Sequence, residues 1–502
     1  MATAFIRQLG ANSAIYAATN LLQKGTAFLL MPLYTLYLDP SAYGILAVVT
    51  SINGLLGIAF TLSLTSAVTR FYFEHADDPQ MLAEFWGSIL SFVMLLSVVL
   101  AGTLLLIGEW LLAPLSGDIA FWPYVALGVL ATLFQPFFNT FLTVLQTRNQ
   151  ALRFSVVSLA QFALTTALTI ALVVVLGFGV TGALTATLIA SAVFFPISWW
   201  MLRRDLRICL KWEHLRSALA YSLPQLPHTI AGQVSAITDR LVLNAWLGTA
   251  AAGLYSVGAM IALVVEVAAQ SVNRAYVPLG MEALKRRSAH DLAQLRAIGA
   301  LIVATFCLLG VTIAAFSREI LWLLAAPAFA GAVVVIPVLL FAGVASSIYY
   351  LFVNVLFFDR TATKLIPLGT LTAAGLNVLL VLALVPSFGL VGAAWATLCA
   401  QCVATVLIAF VGSMFDPVKW QYTRYAIAFS MSLCCALWVG NQVHDSLALN
   451  LALKVGIVAI VALLLGTLFW GRPLIFARAI ARLLRRRFAA AAALFADPEI
   501  AS

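Results

Sequence analysis

The feature that most constrains this chain is the recurrence, from end to end, of apolar runs about twenty residues long. A helix of that length crosses the roughly 30 Å hydrocarbon layer of a bilayer. A backbone in lipid must satisfy its own amides, which leaves helices and closed barrels, and continuous rather than alternating apolar runs select helices. Fourteen candidate spans follow, at 12–37, 42–70, 84–108, 121–146, 153–176, 180–202, 218–247, 251–276, 293–316, 329–357, 363–385, 389–412, 421–440 and 451–470. Turn signals separate them at Asp39-Pro40, Gly177 to Gly179, Gly248 and Pro386 to Gly389. Only 9% of the 502 residues are charged, against about 25% in a soluble chain. A soluble enzyme, a disordered chain and a free nucleic-acid binder are excluded. The expected fold class is an all-α polytopic membrane protein.

Lysine and arginine in short connections orient such a protein. With the N-terminus cytoplasmic, one set of connections holds Arg148, Arg153, Arg203, Arg204, Arg207, Lys211, Arg216, Lys285, Arg286, Arg287, Arg296, Arg360, Lys364 and Lys419. The tail on that side adds Arg472, Arg478, Arg482 and Arg485 to Arg487, whereas the opposite connections hold Arg318 alone. The asymmetry predicts two cytoplasmic termini and an even number of helices, and it explains the net charge of +9 without nucleic acid. The first span reads as a retained helix, not a signal peptide. Residues 471–502 read as a basic amphipathic tail at the membrane surface. The six cysteines read as packing residues; Cys399 and Cys402 form a CxxC inside a span, and Cys209 lies in a basic connection.

An internal repeat divides the chain. Leu36 to Val48 resembles Ala245 to Val257, with Gly44 on Gly253. Gly177-Phe178-Gly179-Val180-Thr181-Gly182-Ala183 resembles Ser387-Phe388-Gly389-Leu390-Val391-Gly392-Ala393, in register within one residue, and Thr187 then falls on Thr397. Ala67 to Tyr72 is a looser match to Ser271 to Tyr276. These matches lay spans 1–6 on spans 7–12 as parallel repeats related by an axis along the membrane normal. The expected organisation is an N-lobe at 1–202, a basic linker at 203–216, a C-lobe at 217–412, two extra helices at 413–470, and the tail.

Ionisable groups inside a membrane are costly and mark cavities or partners. Span 1 carries Asn12, Tyr16, Thr19, Asn20, Gln23 and Lys24; span 7 carries Gln225, Thr229, Gln233, Asp239, Arg240 and Asn244. The repeat maps Asn20 onto Thr229 and Lys24 onto Gln233, so both lobes direct a polar stripe the same way. Lys24 and Arg240 are the candidate cavity cations, with Arg70 and Arg274 at helix ends. Asn139 of span 4 and Gln270 of span 8 extend the polar lining. Glu266 and Asp239 are candidates for ion coupling, Glu266 in partnership with Arg240 or Arg274. Neighbours on a helix diverge by about 100°, so Asp239 and Arg240 do not face each other. Pro224 and Pro227 are a candidate hinge. The sequence has no HExxH, GxxxxGK[ST] or GxSxG and no ATPase domain, so catalysis, a metal and ATP-driven transport are not expected.

Leu36 to Gly44 through Thr69-Arg70-Phe71-Tyr72-Phe73-Glu74, and Thr238 to Asn244 followed by Ala251 to Val257, together with the helix count, resemble the polysaccharide-repeat-unit flippases of the multidrug/oligosaccharidyl-lipid/polysaccharide exporter superfamily. The resemblance covers nearly the whole chain, and its specificity lies in the order of the motifs. It implies movement of an undecaprenyl-diphosphate-linked oligosaccharide across the bacterial inner membrane by alternating access, for surface polysaccharide biosynthesis. It implies coupling to protons or sodium, no cofactor, and a polymerase and chain-length machinery as partners. A lipid II flippase, a drug/cation antiporter of the same superfamily and a membrane-embedded polymerase or ligase are the alternatives. The basic candidate cavity disfavours the antiporter, and the short outer connections disfavour the polymerase.

The charge asymmetry makes a direct prediction. An impermeant maleimide applied to whole cells should leave cysteines in 203–216 unlabelled, Cys209 included, and should label them after lysis. Labelling from outside would reverse the topology.

Overall fold

The computed structural model describes residues 30–75, 77–358, 362–415, 418–440 and 447–471, with Ile15, Thr19, Leu22 and Phe28 of the first span. All regular structure among them is helical. Eleven of the described helices are long and apolar enough to cross a bilayer. One of these, Ile366–Ser413, is two spans: its backbone leaves the helix at Gly389, φ 56°, where the sequence places the turn. Leu226–Leu247 has the length of a span but carries Gln233, Asp239, Arg240 and Asn244. With the first span, whose residues 30–37 are helical, these agree with a fourteen-helix membrane protein.

Helix starts follow the capping signals. The Asp39 carboxylate accepts from the Ala42 amide at 2.7 Å, with Pro40 in the first turn. Asp78 does the same for Gln80 and Met81 ahead of Pro79–Leu111. In both, a side-chain oxygen satisfies an amide that has no partner within the helix, and proline occupies the position that needs none.

The second span differs from its expected continuous form. Helix Pro40–Thr61 ends at Leu62 and Ser63, with φ of 47° and 56°, and Leu64–Tyr72 begins anew. Left-handed backbone is unfavourable for a branched residue such as leucine. Full burial of Leu64 and a hydrogen bond from Ser66 Oγ to the Ser63 carbonyl at 2.8 Å accompany it. The apolar pattern runs through the break unchanged, so hydropathy does not reveal it. The Pro224–Pro227 region is a tight turn, Leu223–Gln225, between Trp212–Ser222 and Leu226–Leu247.

The chain divides into two compact units. The first contains the described residues of Met1–Val257, Trp322–Ala332 and Ala374–Ala396. Its core is aromatic, with Phe85, Trp86, Phe137, Phe138, Phe141 and Phe194 buried together. Its connections gather in two sets. In one, Arg148 pairs with Asp205 at 2.8 Å and the Arg207 amide donates to the Ala83 carbonyl at 3.1 Å. In the other, Asn244 Nδ2 donates to the Ser116 carbonyl at 2.8 Å, and the hydroxyls of Ser41 and Thr249 share a hydrogen bond. These are the two groups that the charge pattern separates, and the first is the cation-rich one.

The repeat has a geometric counterpart in this unit. Gly44 of Pro40–Thr61 and Gly253 of Thr249–Arg286 meet backbone to backbone. A β-carbon at Gly44 would overlap the Thr249 carbonyl, and one at Gly253 would overlap the Pro40 carbonyl. Pro40 and Thr249 occupy equivalent repeat positions, so the contact is self-complementary. Gly179 and Gly389 likewise share φ 56°, and β-carbons at Gly182 and Gly392 would press on Phe178 and Phe388 respectively.

The second unit contains the described residues of Gly258–Leu321, Val333–Ala373 and Thr397–Ser502. Its central helix, Ile336–Phe358, is buried on nearly every side. Trp420 and Tyr425 pack against Gly299, and Tyr425 tilts against Phe469 with ring centres 5.9 Å apart. The last span, Leu447–Trp470, carries the buried Lys454, which pairs with Glu319 of the short helix Ser317–Leu324. Arg318 Nε donates to the Gly440 carbonyl at 3.4 Å. Arg318, the lone outer cation of the sequence pattern, therefore helps tie Tyr422–Gly440 to the unit.

The glycine crossing is testable by adding single β-carbons. Gly44→Ala and Gly253→Ala should each destabilise by about 1–3 kcal/mol or more, seen as a fall in Tm in detergent. Gly57→Ala, which meets no described atom within 4 Å, should be neutral or raise stability by up to ~1 kcal/mol. An unchanged Tm for both crossing variants would refute the contact.

Candidate functional site

Two polar networks lie within the spans. In the first unit, spans 7 and 8 form an antiparallel pair joined at Gly248, φ 84°. Asp239 is 4% exposed. Its carboxylate accepts from the Tyr255 hydroxyl and, at 3.5 Å, from Asn377 Nδ2. One residue on, Arg240 Nε donates to Ser256 Oγ at 3.0 Å. The 239–255 and 240–256 pairs run side by side, so the adjacent acid and base engage different groups, as the 100° divergence requires. Thr229 Oγ1 donates to the Gln225 carbonyl at 3.1 Å and accepts from Ser63 Oγ, at the break in the second span, at 3.4 Å.

The second network belongs to the second unit. Glu266 accepts from Gln270 Nε2 at 3.0 Å and from the Tyr350 hydroxyl at 2.9 Å. Asn354 Nδ2 donates to Asn273 Oδ1 at 2.7 Å. The expected arginine partner of Glu266 is not among these described bonds. Arg274 is exposed and lies eight residues further along the helix, about 12 Å away along its axis, while Arg240 bonds to Ser256. Glu266 is thus held by neutral donors.

The remaining candidates are scattered. Arg70 is exposed at the end of Leu64–Tyr72 and pairs with Glu74 at 3.3 Å. Asn139 and Gln233 are not covered by protein. Lys24, Asn20 and Gln23 lie outside the described residues. Sequence reasoning passed over Lys454 and Glu319 because it counted cations in connections rather than within the last span. It also passed over Asn377 and Tyr350, whose importance lies in the carboxylates they serve. Among the described residues, no three His, Cys, Asp or Glu side chains converge on one point.

Both networks present one carboxylate to neutral phenol and amide donors. Such a group can hold a proton or a monovalent cation, and it binds no phosphate. Arg240 places a guanidinium, a planar fork of hydrogen-bond donors, beside the first network. A separate apolar groove of about 590 Å³ runs in the second unit along Ile348, Phe352, Val406, Phe410, Tyr422 and Phe429. One of its walls is span 13.

Comparison with known proteins adds the following. The profile of the polysaccharide biosynthesis protein family matches residues 9–284. A protein of the Lsg locus of Haemophilus influenzae is 27% identical over 285 residues, covering 55% of this chain and 67% of that one. Among solved structures, the lipid II flippase MurJ in an inward closed conformation aligns with TM-score 0.70 at 13% identity, over 91% of this chain and 99% of its own. A multidrug resistance MATE family transporter of the MOP superfamily aligns in its inward-facing conformation with TM-score 0.61 at 18% identity, over 79% of this chain and 97% of its own. At such identities the structural likeness establishes the fold.

The Asp239 network is testable by subtraction. Tyr255→Phe removes a hydrogen bond to a buried charge and should cost about 1.5–3 kcal/mol, measured as a lower Tm. In an Asp239→Asn background the same change should cost less, because the carboxyl acceptor has been replaced by an amide. Equal costs in the two backgrounds would show that the pair is not coupled.

Proposed function

The chain belongs to the polysaccharide biosynthesis protein family, and from that premise we propose that it is a flippase for lipid-linked oligosaccharide. In this reading it carries an undecaprenyl-diphosphate-linked repeat unit from the cytoplasmic to the outer leaflet of the bacterial inner membrane, by alternating access of its two repeats. The observation that carries the reading is coverage. The lipid flippase fold aligns with 91% of this chain, whereas the multidrug transporter fold leaves about a fifth of it unmatched. An exporter of a small drug has no use for two further helices and an apolar groove beside span 13. A polyprenyl tail needs such a surface while its head crosses.

The head group fixes the second requirement. A diphosphate leaving water needs permanent cations, and Lys24 and Arg240 are assigned that role in the cavity. With no ATPase domain, direction comes from an ion gradient, with Asp239 or Glu266 as the coupling carboxylate for a proton or sodium ion. Both termini face the cytoplasm in this reading. Polymerase and chain-length proteins would act on the product outside.

The test uses purified protein in liposomes with a fluorescent oligosaccharide-diphosphate-polyprenol and an impermeant quencher. Wild-type protein should move label between leaflets far faster than empty liposomes do. Lys24→Ala and Arg240→Ala should abolish that movement while the protein stays folded. Glu266→Gln should leave a folded protein that no longer responds to an imposed pH gradient if Glu266 carries the proton. If the Gln variant responds like wild type, coupling passes to Asp239. Movement of lipid II but not of the oligosaccharide lipid would replace the substrate. No movement of either would overturn the flippase reading.

A further inference from the structure

The connection after Gly179–Leu202 is neither a free loop nor a helix. Residues 206–211 belong to no regular element and lie along the first turns of Pro79–Leu111, with Lys211 in extended backbone and the contacts of successive side chains alternating. In an extended chain, alternate side chains point to opposite sides. Here one side is polar and pinned. Arg207 Nη1 pairs with Glu84 at 2.7 Å, Lys211 Nζ pairs with the other Glu84 oxygen, and the Cys209 thiol donates to the Glu84 carbonyl at 3.2 Å. The Lys211 amide donates to Ser88 Oγ at 3.3 Å. The approach is so close that a β-carbon at Gly87 would overlap the Arg207 carbonyl. Arg148 fixes the start of the segment by pairing with Asp205 at 2.8 Å while lying 4.8 Å from the Trp86 ring centre.

The other side is apolar and uncovered. Ile208, Leu210 and Trp212 are 68%, 56% and 68% exposed. Three large apolar side chains in a row, held outward by a pinned backbone, would be costly in water. Trp200 is also exposed, at the end of the span just before. Exposed cations flank the row: Arg203 and Arg204 before it and Arg216 after it. Apolar and tryptophan side chains among cations, beside the end of a membrane span, match the chemistry of an anionic headgroup layer.

We propose that residues 206–212 form an amphipathic ribbon that docks on anionic phospholipid of the adjoining leaflet. Ile208, Leu210 and Trp212 enter the boundary between headgroups and acyl chains. Arg203, Arg204 and Arg216 draw phosphate to the rim. Glu84 pairs with both Arg207 and Lys211 and offsets one of their two charges, so the pair keeps a net positive charge beside the ribbon.

The test uses the full chain in nanodiscs of phosphatidylcholine alone or of equal parts phosphatidylcholine and phosphatidylglycerol. Spin labels at Ile208→Cys, Leu210→Cys and Trp212→Cys, in a background lacking the native cysteines, should gain oxygen accessibility and lose nickel-chelate accessibility several-fold in the anionic discs. A label at Asp77→Cys, in a neighbouring exposed turn, should stay aqueous in both. Unmodified protein gives a second readout. Trypsin cleavage at Arg203 and Arg204 should slow several-fold in the anionic discs, and Arg216→Gln should weaken that protection. Water-like accessibility at all three labels in both lipids, or equal cleavage rates, would overturn the proposal. So would a co-purifying protein whose removal exposes the labels in anionic discs, because the surface would then belong to a protein partner.

Discussion

Lipid tails are as apolar as leucine, so two helices in a bilayer gain little by hiding apolar faces from their surroundings. Association there depends on how closely backbones approach and on polar groups that find partners. Gly44 against Gly253 meets the first condition, with carbonyls occupying the space where β-carbons would stand. The Asp239–Tyr255 and Arg240–Ser256 pairs meet the second on the same helix, Thr249–Arg286, within four residues of the glycine contact. Much of the order in the first unit follows from this combination. The crossing sets where Pro40–Thr61 meets Thr249–Arg286, and the polar pairs fix the rotation of span 8 against span 7.

The existence of the helices, their number and the division into cation-rich and cation-poor connections were legible in the sequence, because hydropathy and charge report directly on partition between water and lipid. Of the residues the sequence repeat aligns, Gly44 and Gly253 touch, and Gly179 and Gly389 share one backbone conformation. The break at Leu62 and Ser63 was not legible. Two left-handed residues within an apolar run leave no trace in composition. The partners of the carboxylates were also hidden. Tyr255, Tyr350 and Asn377 are ordinary residues in apolar segments, and only three-dimensional proximity gives them a role. Of the two arginines considered for Glu266, Arg274 lies eight residues further along the helix, a dozen ångströms away along the axis.

The two carboxylate networks differ in a way that bears on mechanism. Asp239 sits one residue from a permanent cation, and its donors come from span 8 and from Asn377. Glu266 is served within its own helix by Gln270 and across to Ile336–Phe358 by Tyr350. The first arrangement ties an acid to the neighbourhood of an arginine; the second sets an acid among neutral donors. A proton taken up at Glu266 rearranges two neutral hydrogen bonds, whereas one taken up at Asp239 also alters the net charge beside Arg240.

Lys454 has a consequence for how the chain is made. A lysine within a membrane helix raises the cost of entering lipid, by about 2.5–3.5 kcal/mol at the helix centre and less toward the ends, and Leu447–Trp470 carries one in its first third. Its counter-charge, Glu319, lies well over a hundred residues earlier and is synthesised first. The last helix therefore carries a buried cation whose counter-charge has already been made when it emerges.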